Sequence, residues 1–147
     1  MENSIPAFKA TILATIGAIG GIISSLFGGW DSALTTLVIF MAIDYLTGML
    51  VAGVFKKSKK SQNGALESRT GWMGLCRKGM TLLIVLIAVQ LDLAIGSVFI
   101  RDGVVIAYVI NEAVSITENA GLMGMPVPSV IQKAIDVLQK KSAGDKF

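Results

Sequence analysis

The sequence predicts an all-α integral membrane protein, with about four transmembrane helices and a C-terminal amphipathic interfacial helix. Three observations lead there. Apolar runs recur along the chain, each near the roughly 20 residues a helix needs to cross about 30 Å of hydrocarbon. Of 147 residues, 53% are hydrophobic and 16% charged, against about 25% charged in soluble domains. A globule this small could not hide so much apolar surface. Finally, the basic residues cluster between and after the apolar runs.

A single membrane domain is expected over residues 1–147, and its elements follow in order. The first helix is placed at about 10–27, after Lys9. It is read as retained rather than as a secretory signal, because Gly28-Gly29-Trp30-Asp31 leads straight into another apolar run. Its small residues fall in rows, Ala10, Ala14 and Ala18 on one, Gly17, Gly21 and Ser25 on the next. Rows of this kind let helix backbones pack closely in lipid. The second helix is placed at about 33–55, with Asp44 near its middle and Gly48 as a further packing position. The stretch KKSKKSQNGALESRT has no apolar periodicity and reads as part of a flexible basic loop over 56–78. Third and fourth helices are placed at about 79–100 and 103–121, joined by a tight turn at Arg101-Asp102. That turn would set Asp92 of the third helix opposite Asn111 and Glu112 of the fourth. Beyond Pro126 and Pro128, SVIQKAIDVLQKK reads as an amphipathic helix over about 129–141. Val130, Ile131, Ala134, Ile135 and Leu138 form its apolar face, suited to the inner leaflet or to docking.

Lys and Arg set the orientation. Lys56, Lys57, Lys59, Lys60, Arg69, Arg77 and Lys78 lie between the second and third helices, and Lys133, Lys140, Lys141 and Lys146 follow the fourth. By the positive-inside rule the N-terminus, central loop and C-terminus face the cytoplasm of a multi-pass protein in a bacterial cytoplasmic membrane. Trp30 and Trp72 then fall at the outer and inner interfaces as belt aromatics. Lys56, Lys57, Lys59, Lys60, Arg77 and Lys78 are read as topology and lipid contacts, meeting anionic headgroups. The net charge of +3 is explained by these flanks, and no nucleic-acid partner is inferred.

The chemistry of an enzyme is not apparent. Cys76 is alone and the chain has no His, which removes disulfides, His-based triads and the usual zinc ligands. No phosphate-cradling or nucleophile-elbow motif is present. No cofactor and no metal are expected.

The polar residues inside the apolar runs are the functional clue. In VIAYVINEAVSITENAG, at about 100° per residue, Tyr108, Asn111, Glu112, Ser115, Glu118 and Asn119 share an arc of roughly 120°. Asp44, Asp92 and Glu112 would lie at similar depth, roughly 12–16 Å below the outer helix ends. One charge at the bilayer centre costs about 2.5–3.5 kcal/mol. Such groups must therefore be neutral, paired or turned toward other helices or water. A polar interior or pore stripe of Asn111, Glu112, Ser115, Glu118 and Asn119, with Asp44 and Asp92 as intramembrane acids, is the expectation; interhelical hydrogen bonds that only join a bundle are the alternative.

The stretches AIDYLTGMLVAG, SRTGWMGLCRKGMTLLIVL and INEAVSITENAGLMGMPVP together resemble the phage lysis and toxin-secretion holins, over about Ala33 to Lys140. These are small membrane proteins of phages and prophages of mainly Gram-positive bacteria, with clostridial toxin exporters among their relatives. Asp44, Thr47 and Gly48 match the Asp-x-x-Thr/Ser-Gly element of that family. The couplets Asn111-Glu112 and Glu118-Asn119, followed by a Gly-x-Pro-x-Pro exit, are the most specific part. The resemblance implies a holin that homo-oligomerises in the membrane and forms lesions releasing an endolysin or a large toxin. A small proton-coupled transporter or channel subunit using the intramembrane carboxylates stays open as a reading, as does an antiholin or regulatory membrane partner.

Overall fold

The computed structural model describes residues 4–144, and every regular element in them is a helix: α1 (Ser4–Leu26), α2 (Ser32–Gly53), α3 (Ser68–Ile95), α4 (Ile100–Leu122) and α5 (Ser129–Gly144). Lys146 lies outside the described residues. Three helices are long and apolar enough to cross a membrane: α2, α3 and the Pro6–Leu26 part of α1. This makes the chain an all-α membrane protein. α4 is not among the three, because its polar stripe interrupts the apolar run.

The chain divides into two compact units, one ending at Asp31 and one starting at Ser32. The first is α1. Its hydroxyls bond within the helix, Thr11 Oγ1 donating to the Ala7 carbonyl at 3.0 Å and Thr15 Oγ1 to the Thr11 carbonyl at 2.9 Å. Ser25 Oγ donates to the Ile22 carbonyl at 2.8 Å. Such internal pairing is what hydrocarbon demands of a polar side chain. A methyl group added at Gly17 or Gly21 would meet open space.

In the second unit α4 is the central helix. It packs along α2 for most of its length and also against α3, while α2 and α3 barely touch. Leu34, Leu37 and Val51 of α2, Val85 of α3 and Val105 of α4 are fully buried between them. The core face of α2 runs Leu34, Leu37, Met41, Asp44, Gly48 and Val51. That of α3 runs Lys78, Thr81, Val85, Ala88 and Asp92. Both alternate steps of three and four, the spacing that keeps one face of a helix against a neighbour. A polar residue therefore occupies a core position on each helix.

The third helix departs from its expected bounds in a way that matters. It begins at Ser68 rather than near 79, so Arg77 and Lys78 belong to the helix and not to the loop. It ends at Ile95 rather than near 100, because Gly96 adopts a left-handed conformation (φ 71°) and its N–H returns to the Asp92 carbonyl. The N–H of Ser97 reaches the same carbonyl at 2.9 Å. This glycine-terminated exit places the turn at 96–99, and Arg101 and Asp102 fall in the first turn of α4. The expected facing of Asp92 with Asn111 and Glu112 is corrected accordingly: Asp92 meets the start of α4 instead.

The connection from α2 to α3 is also more ordered than its composition suggests. Lys57 N–H donates to the Val51 carbonyl and Ser58 N–H to the Gly64 carbonyl, each at 3.0 Å. Gly64 has φ 74°, and a Cβ there would lie 2.3 Å from the Lys56 carbonyl oxygen, so the close approach requires glycine. α5 packs on α4 through Ile135, which is buried, and Leu138, which is half-buried, whereas Val130, Ile131 and Ala134 of the expected apolar face remain exposed.

Candidate functional site: an ion-paired polar cavity

Asp44 lies about 18 Å from the start of α2 and Glu112 about 18 Å from the start of α4, at 1.5 Å per residue. Lys78 of α3 bridges them. Its Nζ donates to Asp44 Oδ2 at 2.8 Å and to Glu112 Oε2 at 2.6 Å. All three side chains are largely withdrawn from solvent, with 13%, 8% and 7% of their surface exposed for Lys78, Asp44 and Glu112. One ammonium thus joins three helices. Two carboxylates against one ammonium leave an excess negative charge in the cluster.

The other oxygen of Asp44 is also occupied. Ser115 Oγ donates to Oδ1 at 2.5 Å and Asn119 Nδ2 at 3.1 Å. Asn119 Nδ2 also donates to Thr47 Oγ1 at 2.9 Å, and Thr47 Oγ1 donates to the Asp44 carbonyl at 3.1 Å. Gly48 lies beside the Asn119 amide, and a Cβ there would make an ordinary contact 3.8 Å from Nδ2. The close passage of α2 and α3 is made at Tyr45, whose hydroxyl donates to the Gly71 carbonyl at 3.4 Å. Cβ atoms at Gly71 or Gly74 would each lie 3.7 Å from the Tyr45 side chain.

These groups open onto one cavity of about 330 Å³, walled by α2, α3, α4 and the connecting loop. At about 30 Å³ of liquid per molecule it accommodates about ten waters. Every residue of the expected stripe lines it: Asn111, Glu112, Ser115, Glu118 and Asn119. Glu112 and Asn119 are buried against the neighbouring helices, Ser115 is half-buried, and Asn111 and Glu118 are exposed. Lys59 and Lys60 from the loop and Arg77 from α3 also contribute to the lining. Such an arrangement can hold the paired charges of Asp44, Lys78 and Glu112 together with water between the helices.

Asp92 has a different task from the one its depth suggested. It accepts hydrogen bonds from the backbone N–H of Ile100 at 3.1 Å and of Arg101 at 2.8 Å, and from the Ser97 hydroxyl. It therefore caps the first turn of α4, where unpaired N–H groups and the helix dipole favour a carboxylate. Lys78, expected from the sequence at a topology and lipid-contact position, pairs instead with Asp44 and Glu112 between the helices. Its spacing from Thr81, Val85, Ala88 and Asp92 was the available signal. Lys56, Lys57, Lys59 and Lys60 stay on the exposed connection.

The pattern of the bacteriophage holin family matches residues 21–140. An uncharacterized 14.9 kDa protein encoded in the nagH 3′ region of Clostridium perfringens is 35% identical over 143 residues, covering 96% of this chain and 99% of that one. An uncharacterized Listeria monocytogenes protein is 38% identical, with 86% of each chain covered. A protein of Bacillus phage phi105 that carries the name probable holin is 31% identical over 107 residues, 72% of this chain and 73% of its own. No solved structure matches. The family match extends over most of the second unit, including Asp44, Lys78 and the α4 stripe, and the chain belongs to the bacteriophage holin family.

Proposed function

We propose that the chain acts as a holin: copies self-associate in the bacterial cytoplasmic membrane into lesions that pass an endolysin or a large toxin and lead to host lysis. The observation that carries this reading is the size and position of the polar cavity in a chain of this family. A space of about 330 Å³ holds a handful of waters and no folded protein. Passage of a protein-sized cargo must therefore occur between copies, with the ion-paired network keeping α2, α3 and α4 together while the copies rearrange. In this reading α4 is the fourth crossing, with Glu112, Ser115 and Asn119 engaged by α3 and α2. Before assembly the N-terminus, the loop and the C-terminus face the cytoplasm, where the basic residues meet anionic headgroups.

Inducible expression in bacteria, with and without a co-expressed cytoplasmic endolysin, tests the proposal. Abrupt lysis that requires the enzyme is expected. Membrane insertion without lysis in either strain would contradict it.

One observation favours a second reading, a proton-coupled transporter or channel subunit: Asp44 and Glu112 share a single cation in a cavity large enough for water. That reading requires saturable flux of a small solute and survival of the expressing cells.

A further inference from the structure

The charges of α5 lie at a depth where they need water beside them. Ile135, Leu138 and Ser142 turn toward α4, and Gln139, Ser142 and Ala143 share a crevice with Ala107 and Ile110. Gln139 is about 15 Å from the start of α5 and Ile110 about 18 Å from the end of α4. The two helices therefore run antiparallel, and α5 climbs alongside α4. α4 is in turn fixed to α2 by Ser115 and Asn119 on Asp44, and α2 is one of the helices suited to crossing a membrane. Ile110 lies about 7 Å from Ser115 toward the start of α4, which brings the C-terminal turns of α5 level with the first half of α2 and the middle of α5 level with the middle of α2. Lys140 and Lys141 sit in those turns, with Lys133 and Asp136 closer to the start of α5, and all four are exposed. None of the four has an ion-pair partner among the described residues.

Hydrocarbon does not accept such a face; charged groups at this depth are found in protein interiors, in ion pairs or in water. On the inner leaflet α5 would satisfy its charges at the headgroups, but docked along α4 it requires water on its outer side. We propose that α5, docked on α4 as in this structure, forms the lumen wall of the assembled lesion, with Lys133, Asp136, Lys140 and Lys141 facing the water. The proposal rests on the lesion-forming reading above. Of the α4 stripe, Glu112 and Asn119 are engaged with α3 and α2. Val130 and Val137 share the outward face, so the charges alone wet it. Three lysines against one aspartate give each copy an excess of positive charge, and the lumen selects anions.

The test uses the purified full-length chain in planar bilayers under a salt gradient at about 10 mM, where the screening length is about 30 Å. The wild-type conductance is expected to prefer anions. Joint replacement Lys133→Glu, Lys140→Glu and Lys141→Glu is expected to invert the sign of the reversal potential. Single cysteines in a Cys76→Ser background give a second readout that needs no charge reversal. A charged thiol reagent should alter the open conductance of Lys140→Cys severalfold and leave Ile135→Cys unchanged. A reversal potential unmoved by the triple replacement, or reactivity at Ile135→Cys with none at Lys140→Cys, overturns the lumen wall while leaving the lesion intact. A wild-type chain that gives no conductance overturns the lesion reading itself.

Discussion

Removing the Lys78 ammonium leaves Asp44 and Glu112 facing the cavity with no cation in salt-bridge reach. Breaking a buried pair by deleting one partner costs about 3 kcal/mol or more, because the remaining charge is left uncompensated. Lys78→Met is therefore expected to lower the thermal midpoint of the detergent-solubilised protein and its accumulation in membranes. Adding Asp44→Asn and Glu112→Gln to Lys78→Met should recover most of the loss, since the three residues act as one unit. A triple variant no more stable than Lys78→Met would show that the cluster is not coupled. The sequence made the acids legible, because carboxylates stand out in apolar helices. It hid their partner, because Lys78 follows a loop rich in lysine and adjoins Arg77, so it reads as a membrane-edge charge. The three-four spacing from Lys78 to Asp92 was present, but it competed with the stronger signal of basic residues clustered at a boundary.

At the level of elements, two helix ends decide the register. Gly96 stops α3 and Asp92 starts α4, and together they fix which residues of the hairpin meet. Asp92→Ala is expected to cost about 1–2 kcal/mol, the range for losing a helix cap, with faster hydrogen exchange in the first turn of α4. Unchanged exchange at Ile100 and Arg101 would contradict the capping role. The first helix poses a separate question, because its small-residue row points into open space. If that row is a contact between copies, Gly17→Leu or Gly21→Leu should shift the crosslinked oligomer ladder toward smaller species; normal insertion with an unchanged ladder would remove the row from assembly. The first three helices could be read from hydropathy, whereas α4 and α5 were legible from the sorting of polar and apolar residues onto opposite faces. The boundary at Ser68 could not be read in either way, because SRTGWMGLCRK lacks the continuous apolar character that marks a span, and its helical conformation is supported by packing of Gly71 and Gly74 against Tyr45.

Across the whole molecule, the proposed topology and assembly both rest on the placement of charge. Tags near Ser61 and at the C-terminus should report the cytoplasmic side before lysis, and a reporter near Asp31 the outside. Opposite locations for the loop and the C-terminus would mean that α4 does not cross. In the proposed function the hole forms between copies and not within one. Vesicles loaded with both a small dye and a folded protein, and exposed to the purified full-length chain, test that claim most directly. Simultaneous release of dye and protein is the predicted result. Escape of the dye with the protein fully retained would contradict the account, because it would confine passage to a channel on the scale of the single-protomer cavity.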